Sequence, residues 1–120
     1  MDLITSEERG ATFFTCIGQL WEREDVRKIQ EKFSQLMAAH CNCLVLDLQR
    51  LTFIGSIGLG AVMRMYSDAK KNRCTFLVYR PLGNVKEALE LAEFPSIMPV
   101  LHTEEELDAA LKPATQPSSR

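Results

Sequence analysis

The stretch Leu44-Val45-Leu46-Asp47-Leu48-Gln49-Arg50-Leu51-Thr52-Phe53-Ile54-Gly55-Ser56-Ile57-Gly58-Leu59-Gly60 decides the fold. Its opening, Cys43 to Leu48, is a nearly continuous apolar run, the pattern of a strand covered on both faces. Gln49 to Gly55 is polar enough and glycine-marked enough to read as a loop. Ser56 then stands where a helix begins, placed to act as N-cap by accepting a bond from a free amide one turn on. Gly55, Gly58 and Gly60 leave that helix end bare of side chains, so another backbone could approach it.

Reading outward, the helix after Ser56 runs to about Asn72, with Leu59, Val62, Met63, Tyr66 and Ala69 on its apolar face. Met63, Met65 and Tyr66 are expected to be mostly core, although Met65 points off that stripe, where an exposed methionine would suit an adaptable protein contact. Cys74 to Tyr79 is a second buried strand, ended by Arg80-Pro81. Upstream, Trp21 to Ala39 is a helix with Val26, Ile29, Phe33, Leu36 and Met37 at spacings of three and four. Glu22, Glu24 and Asp25 crowd its first turn, where the helix dipole favours acids. Before it, Leu3 and Ile4 begin one extended segment, Glu8-Arg9-Gly10 turns the chain, and Ala11 to Ile17 form another, ended by Gly18.

Downstream, Val85, Ala88, Leu89 and Ala92 mark a third helix, and Met98 to Leu101 a short strand. Thr103 and Glu106 have capping-box spacing at the start of a last helix whose apolar face is Leu107, Ala110 and Leu111. The order is β-β-α-β-α-β-α-β-α. It predicts an α/β domain over residues 1–111, with a mixed sheet of four to five strands flanked by about four helices. Residues 112–120, rich in Pro and Ser, read as a disordered tail.

Composition narrows function. The 120 residues are 46% hydrophobic and 25% charged, with a formal net charge of −2. Such a chain has no basic stripe for nucleic acid. No apolar run nears the roughly 20 residues that span a bilayer. The polar, acidic N-terminus does not resemble a secretion signal, so a cytoplasmic location is expected. The four cysteines read as reduced thiols, with Cys16, Cys43 and Cys74 in apolar runs. His40, Cys41 and Cys43 do not complete a metal ligand set. The glycines at 55, 58 and 60 lack the spacing of a nucleotide loop. Asp47 has no second acid, base or nucleophile arranged around it, so neither catalysis nor a cofactor is predicted. Its bland role is to cap the loop that follows. His102 is expected to face solvent, while Trp21 could serve core or interface.

The quoted stretch resembles the signature of STAS domains: an apolar strand ending in Asp, a loop, then Phe-Ile/Met-Asp-Ser-Ser/Thr-Gly-Leu-Gly. Phe53, Ile54, Ser56, Gly58, Leu59 and Gly60 match it, as does Asp47. The resemblance covers residues 2 to 111 and includes Ile17-Gly18-Gln19-Leu20. It implies the STAS-type fold and a regulatory protein of the anti-sigma-factor-antagonist type. In that family the serine matching Ser56 is phosphorylated by a kinase that is also the anti-sigma factor. The unmodified antagonist binds the kinase, and a phosphatase restores the complex. Carried onto this chain, Ser56 is the phosphorylation site, and Gly55, Ser56, Ile57, Gly58, Leu59 and Asp47 are the partner-binding residues. Two departures stand out: Gly55 replaces the aspartate and Ile57 replaces the second hydroxyl residue. They leave room for two other readings. One is a subunit of a signalling scaffold or membrane transporter complex, the other a nucleotide- or lipid-sensing domain.

Overall fold

The structure is a computed structural model in which residues 1–112 are described. Apart from Lys112, the expected tail therefore lies outside the described residues.

Strands β1 (Asp2–Glu8) and β2 (Ala11–Leu20) form an antiparallel hairpin. Arg9 and Gly10 are the only residues between them, and both have positive φ, 53° and 77°. A two-residue hairpin of the mirror-image type demands that backbone, which Gly10 adopts freely. β2 does not stop at Ile17. It kinks at Gly18, where φ is 106°, and continues to Leu20.

That kink gives β2 two successive partners. Its first half pairs in parallel with β3 (Cys43–Asp47), from Thr12 against Leu44 to Thr15 against Asp47. Its end pairs in parallel with β4 (Leu51–Ile54): Gly18 with Leu51 and, past a bulge, Gln19 with Phe53 and Leu20 with Ile54. The hydroxyl of Thr52 also donates to the Gly18 carbonyl at 3.0 Å. The segment read as a loop is thus a sixth strand in part. Four residues with buried ends and an exposed middle carry too short a pattern to announce themselves. Beyond β3 the sheet continues through β5 (Thr75–Tyr79) to β6 (Val100–Leu101), in the order β1-β2-β3-β5-β6.

Alternation along the central strands sorts the core into two layers. Leu44 and Leu46 of β3 and Phe76 and Val78 of β5 point to one face. There they meet α1 (Arg23–Ala38), α2 (Ser56–Lys71) and α3 (Gly83–Leu91). Val45, Leu77 and Tyr79 point to the other, under Leu107 of α4 (Glu104–Leu111). Both faces of β3 are covered, as its apolar run predicts.

Helix edges depart from expectation by small amounts. α1 begins at Arg23 with Glu22 as N-cap, so Trp21 stays outside it. The α4 start behaves as predicted on one arm: the Glu106 amide donates to Thr103 Oγ1 at 3.0 Å. The return arm reaches one residue further, from the His102 amide to Glu106 Oε1 at 2.6 Å. His102 is exposed, and so is Ala110, leaving Leu107 and Leu111 to face the sheet.

On α2 the inward stripe is Gly58, Ala61, Val62, Met65 and Ala69. Met65 is 1% exposed, in the core as expected, although the apolar stripe read from the sequence passes it by. Glycine and alanine at 58, 61 and 69 let the helix sit close to the sheet. That rotates its buried face toward them and carries Met65 into the core. Leu59, Met63 and Tyr66 lie half-buried beside it.

Candidate functional site

The start of α2 is held by the end of β4. The Gly55 amide donates to the Leu20 carbonyl at 3.0 Å, and the Leu59 amide donates to the Gly55 carbonyl at 2.9 Å. Gly55, with φ −97° and ψ 179°, is therefore the N-cap, and Ser56 is the first helical residue. This corrects the capping role expected of Ser56. No side chain caps α2, and the serine is exposed. A hydroxyl one position into a helix cannot fold back on the N-terminal amides as a cap would. It projects outward instead, while the first-turn amides keep the unpaired character of any helix N-terminus.

The glycines of this segment do different things. A Cβ on Gly58 would lie 2.5 Å from the Leu20 carbonyl oxygen and 2.9 Å from side-chain carbons of Leu20 and Ile54. Gly58 is buried, and it is the chain's own β2 that comes close to it. A Cβ on Gly55 would lie 3.1 Å from Trp21 Cβ and 3.8 Å from Phe53 Cε2. The departure from aspartate at this position thus coincides with an aromatic residue seated over the backbone. Gly60 is open, with only Arg64 Nη1 within 3.5 Å of such a Cβ.

Around Ser56 the surface is apolar. Trp21 is 49% exposed, Phe53 41% and Ile57 42%. The Trp21 and Phe53 rings meet edge to face, with centroids 6.4 Å apart and planes at 83°. Sequence reasoning left Trp21 undecided and missed Phe53, because its exposure follows from β4, which was not foreseen. Ile57 also borders a depression of about 320 Å³ between α1 and α2, lined by Arg23, Val26, Arg27, Gln30 and Arg64.

Asp47 closes the end of β3. It is 8% exposed, and its two oxygens accept from the Gln49 amide and the Gln49 Nε2, each at 3.0 Å. This fixes the turn that sends the chain into β4. The Cys16 thiol is pushed up to about 12, first by burial and then by the Asp47 charge. It is an inert core group at neutral pH. Among the described residues, no group of three or more His, Cys, Asp or Glu is placed to hold a metal ion. No helix of the described residues is long and apolar enough to cross a membrane.

Comparison with known proteins agrees with this architecture. The STAS domain family model matches residues 4–110. BtrV of Bordetella bronchiseptica, which carries the name of an anti-sigma factor antagonist, is 34% identical over 111 residues. The match covers 92% of this chain and 96% of BtrV. The crystal structure of an anti-sigma factor antagonist from Mycobacterium paratuberculosis superposes with a TM-score of 0.81 at 18% identity, covering 92% of this chain and 93% of that one. The phosphorylated form of the Bacillus cell-fate determinant SpoIIAA superposes with a TM-score of 0.69 at 18% identity, covering 92% of this chain and all, 100%, of that one. With the family model spanning nearly the whole described chain and a relative this similar, the chain belongs to the STAS domain family and is of the anti-sigma-factor-antagonist type.

Proposed function

We propose that this chain is a regulatory switch that acts by binding rather than catalysis. It docks an anti-sigma factor kinase on the surface around the start of α2, in the cytoplasm, and is released by phosphorylation of Ser56. One observation carries the reading: Ser56 is an exposed, uncapped hydroxyl at the first position of α2, bordered by half-exposed Trp21, Phe53 and Ile57. The name of BtrV supports it. Gly55, Ser56, Ile57 and Leu59 present the contact, while Gly58 and Asp47 shape it from behind.

The switch follows from electrostatics. A phosphate adds about −1.5 to −2 charges at pH 7. The α2 amides and dipole hold that charge without unfolding the domain. A partner packed on the apolar rim would instead have to desolvate it, costing several kcal/mol, or about a hundredfold or more in affinity. The test begins with a pull-down from native lysate, the partner being identified by mass spectrometry. Its affinity is then measured for wild type, Ser56→Ala and Ser56→Asp. Ser56→Ala should bind like wild type but take up no phosphate from the kinase. Ser56→Asp should bind more weakly, though less so than phosphoserine. Equal affinities for all three, with no phosphate on Ser56, would overturn the proposal.

A further inference from the structure

Both α1 and α2 end in the same way, and each ending leads into a cysteine. At α1 the Cys41 amide donates to the Leu36 carbonyl at 3.2 Å and the His40 amide to the Met37 carbonyl at 3.0 Å. At α2 the Cys74 amide donates to Ala69 at 2.8 Å and the Arg73 amide to Lys70 at 3.1 Å. His40 and Arg73 take left-handed backbone, φ 61° and 56°. These are paired Schellman endings, and Cys41 and Cys74 occupy the equivalent position just past each. The two helices feed parallel neighbours: Cys43 pairs with Thr75, and the Thr75 amide donates to the Asn42 carbonyl at 2.9 Å. Cys41 and Cys74 lie two residues and one residue before that pair, at the same end of the two strands. The Cys74 thiol consequently faces the Cys41 sulfur at 4.0 Å.

The geometry points to Cys41 and Cys74 as an oxidative modification site, a thiol pair that a peroxide converts to a disulfide. All four cysteines are free in the structure. Cys41 is half-buried and borders a depression of about 320 Å³ with Arg9, His40 and Cys43, whereas Cys74 is buried. Cys41 therefore meets the oxidant first. Its thiol is oxidised to a sulfenic acid as the peroxide O–O bond breaks and one water leaves. Cys74 sulfur then attacks Cys41 sulfur; the S–S bond forms, the S–O bond breaks, and the departing hydroxide takes the Cys74 proton to leave as a second water. Burial, and then the neighbouring Cys41, push the Cys74 thiol up, so it stays protonated until that step. In a reducing compartment the pair rests as thiols.

The cross-link would close a loop holding β3, β4 and α2, at the opposite end of the strands from Ser56. Its effect is on stability, independent of partner binding. Loop closure of this length constrains the unfolded chain enough to raise Tm by about 10 °C or more. The test treats the reduced full chain with one equivalent of hydrogen peroxide, then maps peptides without reduction. Cys41 and Cys43 share the segment between Lys32 and Arg50, so a Cys43→Ser variant assigns the partner. The expected result is a Cys41–Cys74 link in wild type and Cys43→Ser, reversed by dithiothreitol and absent from Cys41→Ser and Cys74→Ala. Because Cys41 is half-buried, Cys41→Ser keeps the fold even where a change at buried Cys74 does not. A link that persists in Cys41→Ser, a sulfinic acid on Cys41 without any link, intermolecular dimers in its place, or a fully linked protein with unchanged Tm would each overturn the assignment.

Discussion

Ser56 and its two neighbouring glycines show how little separates a structural residue from a presented one. Gly55 caps α2 with its backbone, which leaves the serine hydroxyl nothing to satisfy inside the molecule. Gly58 is filled in by the chain itself, and Gly55 is roofed by Trp21. The two positions should therefore respond differently to a side chain. Gly58→Ala drives a methyl against the Leu20 backbone and should cost about 1–3 kcal/mol, the range for overpacking. A urea midpoint measures it, and an unchanged midpoint would mean that α2 does not rest on β2 as described. Gly55→Asp sets its Cβ against the Cβ and Cα of Trp21, so its main effect should be to shift the Trp21 segment and its indole with it. Trp21 is the chain's single tryptophan, and its fluorescence should shift to the red as the indole gains water. Identical spectra for wild type and variant would refute that packing.

At the scale of elements, β3 carries the domain. It pairs with β2 on one side and β5 on the other, and its alternate residues enter both hydrophobic layers. Leu46 is fully buried there between the sheet and the α1, α2 and α3 layer. Leu46→Ala should cost about 2–5 kcal/mol by the cavity it leaves. Chemical denaturation gives the number directly, and a cost under about 1 kcal/mol would contradict a central position for the strand. The strand and the helix periods were legible because a 2-residue or 3.6-residue apolar repeat survives in sequence whenever an element spans several turns or pairs. β4 was not legible. Its four residues are ordered by a kink at Gly18 in a strand more than thirty positions earlier, together with the Thr52 bond to that residue.

Across the whole molecule, exposure governs the chemistry of the cysteines. Cys16 lies under the α1 and α2 layer with its thiol raised to about 12 from an ordinary 9.0. Only the unfolded chain releases that proton between these values. The contribution is thus fully present below pH 9 and is lost as pH climbs toward about 12. At about pH 8 a thiol reagent should therefore label Cys41 in the native protein and leave Cys16 untouched. Adding guanidinium should bring the titration to all four thiols. Rapid labelling of Cys16 in the folded protein would show that the inner layer is open to solvent.

What the sequence determined by itself was set by local repetition and by one dense motif. The order of strands and helices, the double burial of β3 and the importance of the segment from Asp47 to Gly60 all rest on residues close together in the chain. Tertiary structure alone decided which surfaces those residues present. It turned α2 by about one position, so that its buried stripe runs through Met65. It moved the cap from Ser56 to Gly55, set Trp21 and Phe53 together beside the serine, and brought Cys41 within 4.0 Å of Cys74. The physical reason is common to all four. Each depends on how closely one element approaches another, and that distance is fixed by small residues and backbone bonds between segments far apart in sequence, which no local pattern records.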